Sequence, residues 1–171
     1  MEESLSVKFQ NIILELKSIH DRDQAMRLKA VKNPDLWDDK LDLKNTARLK
    51  EIIDKIGWPT ISKVDEEGSN QAWLLAQHAD HDLEFQKKCL KLMKAEPETE
   101  VKKPNIAFLE DRIAVSEKRP QLYGTQFFRG EGGKLIPRPI FEREKIDERR
   151  RERGMDSFEE YERLMNETYK A

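Results

Sequence analysis

Two of the chain's three histidines fall within Gln77-His78-Ala79-Asp80-His81-Asp82, three positions apart, with carboxylates interleaved. Residues three apart share a face of an α-helix. Two imidazoles side by side can each give or take a proton near neutral pH. As an acid/base pair, one neutral ring would accept a proton while the other, protonated, donates one. Asp80 or Asp82 would fix a tautomer, and such catalysis contributes ~10²–10⁴-fold. As ligands for a divalent metal, His78 and His81 would need a third donor and an open position for water. Asp82 is adjacent, and Glu66, Glu67 or Asp111 could reach in. His81-Asp82 also spells the dipeptide of phosphohydrolases with a histidine–aspartate metal site, and His20-Asp21 repeats it. No full ligand series follows at a familiar spacing. The plain structural alternative is two core histidines bonded to Gln77, Glu84 or backbone.

Other polar groups could complete a site. Gln121, Tyr123, Thr125 and Gln126 surround Gly124. Along a strand, Tyr123 and Thr125 would point to one face and Gln126 to the other. The glycine would admit a bulge or a ligand close to the backbone. Amides and hydroxyls there would orient a polar substrate, or simply cap an edge hairpin. Arg112, Arg149 and Arg150 offer guanidinium forks for carboxylate or phosphate, although intramolecular salt bridging is their commoner use. Glu66-Glu67 precedes the histidine segment. One of the two suits the positive end of a helix dipole, which leaves Glu67 as a candidate catalytic carboxylate.

Hydrophobic spacing supplies the elements that must position these groups. Phe9, Ile12, Ile13, Leu16 and Ile19 recur as on an amphipathic helix, which continues toward Val31 until Asn33-Pro34-Asp35 breaks it. A second helix carries Leu49, Ile52, Ile53 and Ile56, and Gly57 is placed to cap its C-terminus. Trp58-Pro59-Thr60 then turns. A third helix is expected from near Gly68-Ser69 to about Lys94. Its apolar stripe of Leu74, Phe85, Cys89 and Leu92 includes His78 and His81, so each ring must find a partner or a use. Trp58 and Trp73 read as core, and Cys89 as inert packing. A fourth helix follows Pro104 and carries Ile106, Leu109 and Ile113 inward. Gln121 to Phe128 then alternates like a strand, Gly130-Glu131-Gly132-Gly133 turns, and Lys134 to Ile140 returns as an edge strand limited by Pro137 and Pro139. Asp147-Glu148-Arg149-Arg150 opens another helix. Ser157 and Glu160 form a capping box ahead of Phe158, Tyr161, Leu164 and Met165. The expected fold class is mainly α: a single helical domain with one small β-hairpin. Residues 1–56 are expected as an N-terminal helical extension packed on a core domain, 57–171, that carries the motif residues.

The chain has 171 residues, 32 basic and 34 acidic, for a formal net charge of −2. That balance argues against a polyanion-binding domain. Arg149, Arg150, Arg151 and Arg153 are interrupted by acidic residues and read as a solvated face. One cysteine excludes an intramolecular disulfide. No basic and apolar N-terminal signal and no apolar run near the ~20 residues of a membrane helix is present. A cytoplasmic protein is the expectation, with a secreted effector left open. Phosphate-cradling, dinucleotide-binding, CxxC and zinc-protease motifs are all missing.

Several strings occur in one order: Gly57-Trp58-Pro59; Glu66-Glu67-Gly68 leading into Ala72-Trp73-Leu74-Leu75; Gln77 to Asp82; Phe85-Gln86; Asp111-Arg112; Gln121 to Gln126; and Asp147 to Arg150 followed by Gly154. Together, over roughly Gly57 to Tyr161, they resemble an uncharacterised, largely bacterial domain family of unknown function. The resemblance implies no reaction, only that these polar residues belong together. It departs at Leu83, where the family pattern has proline, and this favours a continuous helix. By the same comparison the first part of the chain is variable.

The leading expectation is a small intracellular enzyme, a hydrolase or transferase acting at a phosphate or glycosyl centre of a polar, anionic small molecule. His78 and His81 would transfer protons, with Asp82 and Glu67 as further catalytic groups. Gln77, Arg112, Tyr123, Thr125, Gln126 and Arg149 would bind the substrate. No cofactor is expected unless a divalent metal sits at His78 and His81, which is the second reading. The third is a non-enzymatic binding or regulatory module with a protein partner.

Overall fold

A computed structural model describes residues 5–169. It is mainly α-helical, with seven α-helices and one two-stranded antiparallel sheet among the described residues. The chain divides into two compact units, residues 1–102 and 103–171.

The first unit holds α1 (Leu5–Lys32), α2 (Asp39–Ile56), α3 (Ile61–Gln77) and α4 (Leu83–Ala95). α1 packs most extensively on α3 and also touches α2. Its buried stripe is Phe9, Leu16, Ile19, Met26 and Ala30, the three-and-four spacing of one helical face. α1 ends at Asn33, whose side chain accepts the Asp35 N–H and starts a 3-10 turn at Pro34–Leu36. α2 buries Leu49, Ile52 and Ile53 and stops at Gly57, where φ of 71° suits a glycine. Lys63 Nζ reaches back to the carbonyls of Ile56 and Trp58 at 2.7 and 3.1 Å. Trp58 is buried, as expected of a core residue, whereas Trp73 is half-buried. The expected division was at residue 56; the compact units divide after Lys102, because α1 and α2 pack with α3 in one unit.

The expected third helix is two helices. Asp65, at φ 60°, accepts the Gly68 N–H at 2.8 Å and starts the main run of α3, so Glu66 and Glu67 occupy its first turn. The run stops at Gln77. Residues 78–82 turn, and Asp82 caps α4 by accepting the Phe85 N–H at 3.0 Å. Gln86, fully buried, donates Nε2 to the carbonyls of Ala76 and Gln77, both at 3.2 Å. It thereby meets acceptors that the end of a helix leaves unsatisfied. Leu83 stands at the first position of α4, where proline is also well suited. The departure from the family pattern therefore does not join the helices.

The second unit contains α5 (Lys103–Ser116), β1 (Phe127–Arg129), β2 (Leu135–Pro137), α6 (Ile146–Glu152) and α7 (Phe158–Thr168). α5 buries Ile106, Leu109 and Ile113 as expected. The hairpin pairs Phe127 with Pro137, Phe128 with Ile136 and Arg129 with Leu135, so it is shorter than the alternation predicts. Gln121 to Gln126 leaves the ladder because the N–H groups of Leu122, Tyr123 and Thr125 turn to Asp111. α7 begins with the expected capping box of Ser157 and Glu160. Phe158 is buried behind it, but Leu164 is exposed.

Candidate active site

The break between α3 and α4 separates the two histidines. His78 caps the C-terminus of α3 and is half-buried; His81 is exposed in the following turn. They do not share an inward helical stripe. His78 Nδ1 lies 2.9 Å from Asp23 Oδ2 on α1, a carboxylate with no exposed surface. The side chain of His78 retains 16% exposure, so part of the ring meets solvent.

Asp23 organises the surrounding charges. It accepts Arg27 Nε at 3.2 Å on both oxygens and Gln24 Nε2 at 2.8 Å. Arg27 Nη2 donates to Asp42 of α2 at 2.7 Å. Arg27 thus links two carboxylates, while His78 joins the cluster from the end of α3. Burial opposes the charge on Asp23 most strongly, but the hydrogen bonds and charges of His78 and Arg27 together outweigh it and hold its pKa at about 2. Burial pushes the Asp42 carboxyl above its ordinary value, against the pull of Arg27. Two carboxylates on one guanidinium are therefore driven in opposite directions, a pattern common at acid/base sites.

None of Asp23, Arg27 and Asp42 was among the sequence candidates. The signal was present. Leu16, Ile19, Asp23, Met26 and Ala30 form one heptad-like row, and a carboxylate on an apolar stripe must be paired. Asp42 precedes Asn45, Thr46 and Leu49 on the buried face of α2 in the same way.

The other expected catalytic groups have structural partners. Asp82 caps α4 with one oxygen and accepts Lys50 Nζ at 2.6 Å with the other. The Lys50 bond, then the Phe85 N–H, draws its pKa down. Glu67 is exposed and accepts Gln71 Nε2 at 3.1 Å. It stands on the first turn of α3 while His78 ends it, roughly 16 Å of helix rise away, so the two are not brought together. Gln77 is buried on the last turn of α3. Cys89 is buried, and burial pushes its thiol up to about 12, consistent with inert packing. Among the described residues, no three His, Cys, Asp or Glu side chains are grouped to hold a metal ion.

Arg112, Tyr123, Thr125, Gln126 and Arg149 all belong to the second unit, where they shape one loop. Buried Asp111 accepts the N–H groups of Leu122, Tyr123 and Thr125 at 2.7, 3.1 and 3.0 Å, and Thr125 Oγ1 at 3.0 Å. Burial pushes its carboxyl up against these bonds. Gln121 donates to the carbonyls of Gln126 and Arg138, both at 2.9 Å, and accepts the Gln126 N–H. Arg149 donates to the carbonyls of Leu122, Phe141 and Glu142. Arg150, also buried, donates to those of Tyr123 and Asp156. Arg112 Nη1 donates to Gln126 Oε1 at 3.3 Å. Gly124, at φ 70°, lets the ring of Phe158 approach, not a ligand: a Cβ there would lie 2.4 Å from Phe158 Cε2. The Tyr123 hydroxyl accepts Arg153 Nε at 3.2 Å and leaves this framework toward Glu110 at 3.5 Å.

Fold and cluster together define a mainly helical protein with a carboxylate–imidazole–guanidinium group set into one of its units. Residues 11–171 match the model of a family of unknown function, DUF6624, and the chain belongs to that family. The matched span begins within α1 and takes in Asp23, Arg27 and Asp42 as well as the later motifs. No curated protein and no solved structure matches the chain. Among the described residues no helix is long and apolar enough to cross a membrane.

Proposed function

We propose that this protein is a small enzyme, a hydrolase or transferase, in which His78 oriented by Asp23 moves protons on a polar substrate. The observation that carries this reading is the 2.9 Å contact between His78 Nδ1 and a fully buried aspartate, on a ring that still meets solvent. An ionised Asp23 accepts Nδ1–H and leaves the lone pair of the neutral ring on Nε2. Nε2 makes no hydrogen bond among the described residues. When it takes a proton, the adjacent carboxylate stabilises the imidazolium, the role of the third group in hydrolytic triads. Asp23 stays ionised down to about pH 2, so it can serve this role throughout the neutral range. His81 takes no part in this scheme.

Two measurements test it. Nitrogen-15 shifts of neutral His78 should report the Nδ1–H tautomer, and the Nε2–H tautomer would contradict the assignment. Turnover should be screened on chromogenic phosphate, glycosyl, amide and ester substrates. On any substrate found, His78→Gln and Asp23→Asn should each lose about 10²–10⁴-fold in kcat, whereas His81→Gln should remain near wild type. Full turnover by His78→Gln would end the proposal.

A further inference from the structure

Arg27 has a second environment. Besides bonding Asp23 and Asp42, it lines a cleft of about 500 Å³ with Ala30, Val31, Pro34 and Trp37. Small-molecule pockets span about 300–1,000 Å³ and combine apolar walls with few polar groups. Here the walls are apolar except for the guanidinium. Trp37 is 44% exposed yet fixed: its Nε1 donates to Asp39 at 2.8 Å, and Arg27 Cζ sits 4.8 Å from its ring centroid. Val31, on the same wall, is 82% exposed. Apolar surface gathered in this way marks a binding site more often than isolated exposed residues do.

The charge at Arg27 decides which ligand fits. Nε faces both Asp23 oxygens and Nη2 faces Asp42, so two carboxylates meet one guanidinium. A further anion would enter a region already balanced or negative, even with His78 protonated. Nη1 makes no hydrogen bond among the described residues and remains a donor. A neutral acceptor can take that donor without meeting repulsion, and a flat ring can pack on the held indole.

We propose that this cleft binds an uncharged aromatic group bearing a carbonyl, with the ring against Trp37 and the carbonyl on Arg27 Nη1. As the part of the substrate next to the proton-transfer group, it rests on the His78 reading. This replaces an anionic substrate with a neutral aromatic amide or ester.

Benzamide serves as the probe, with benzoate as its charged counterpart. In nitrogen–proton correlation spectra, with the Trp37 indole signal assigned by Trp37→Phe, millimolar benzamide should shift that signal saturably, and benzoate should bind more weakly. Followed instead through the backbone amide signal of Val31, binding should weaken about tenfold in Trp37→Ala. Val31→Trp, which fills the cleft from an exposed position, should abolish it while the other tryptophan signals stay in place. The shift should persist in His78→Gln, so failure of the cleft and failure of the proton-transfer reading are separate results. No saturable shift, or benzoate binding as tightly as benzamide, would overturn the inference. So would a concentration-dependent dimer abolished by Trp37→Ala, because a second copy would then cover the cleft.

Discussion

Asp23 ties the site to stability, and acid should release it in a defined window. Its pKa falls from an ordinary 3.8 to about 2 in the folded chain. At about 1.4 kcal/mol for each tenfold change, that difference is worth roughly 2 kcal/mol. The folded value is depressed, so the unfolded chain binds the proton first as pH drops. The stabilisation is therefore complete above the unfolded pKa and disappears as pH falls through the folded one. Urea unfolding of wild type and Asp23→Asn, followed by circular dichroism between about pH 5 and about pH 2, tests this. The stability gap between them should shrink by roughly 2 kcal/mol across that interval. Asparagine keeps the volume but offers one acceptor where Arg27 and His78 require two, so some gap should remain at the acid end. A gap that is constant with pH would refute the reasoning, because the carboxylate would then contribute no differential charge interaction.

Four further substitutions, at three positions, probe where the sequence motifs serve the fold. Gly124→Ala places a methyl group 2.4 Å from Phe158 and 2.9 Å from Ile146 at φ 70°, and should destabilise by roughly 3 kcal/mol in urea unfolding. Gly154→Ala has a similar φ of 66° but no atom within 4 Å, and should cost about 1 kcal/mol; equal losses would show that the contact with Phe158 is unimportant. Asp82→Asn retains a capping oxygen and should keep both fold and turnover, whereas Asp82→Ala should lose about 1 kcal/mol in thermal or urea unfolding. Abolished turnover in a normally folded Asp82→Asn would return Asp82 to the chemistry.

The elements that hydrophobic spacing makes visible are those whose ends are also marked. α2 stops at a left-handed glycine, α5 starts beside Pro104, and α7 carries a capping box, each at its expected place. The break after Gln77 was harder to read because the apolar spacing runs on from Leu74 to Phe85 and Cys89. What stops the helix is side-chain chemistry: Asp82 takes the Phe85 N–H, and Gln86 covers the carbonyls that α3 leaves open. Three aspartate or histidine side chains in a row, Asp80 to Asp82, compete well for backbone groups. The loop around Asp111 was similarly hidden. Gln121 to Gln126 alternates like a strand, but a buried carboxylate on a different element collects three of its N–H groups. At the site, His78 was legible by residue type, while Asp23 lies 55 positions earlier. Only the packing of α1 on α3 brings them together.

The direction of the hydrogen bonds separates two uses of buried charge in this chain. Asp111, Arg149 and Arg150 address mainly the backbone of one loop. Removing any of them would leave main-chain groups unsatisfied, so their presence follows from the loop's shape alone. Asp23 differs, since its partners are all side chains: His78, Arg27 and Gln24. Among the described residues, no backbone group depends on it. Replacing such a buried ionic cluster as a whole by apolar residues is often neutral or stabilising by about 1–4 kcal/mol. An apolar replacement of the whole cluster could therefore also join α1, α2 and α3. The backbone of one loop accounts for the charges of the second unit, whereas those around Asp23 answer to one another. The proposed proton transfer gives this cluster a use that the loop charges do not need, on a ring that keeps one nitrogen on a buried carboxylate and part of its surface in solvent.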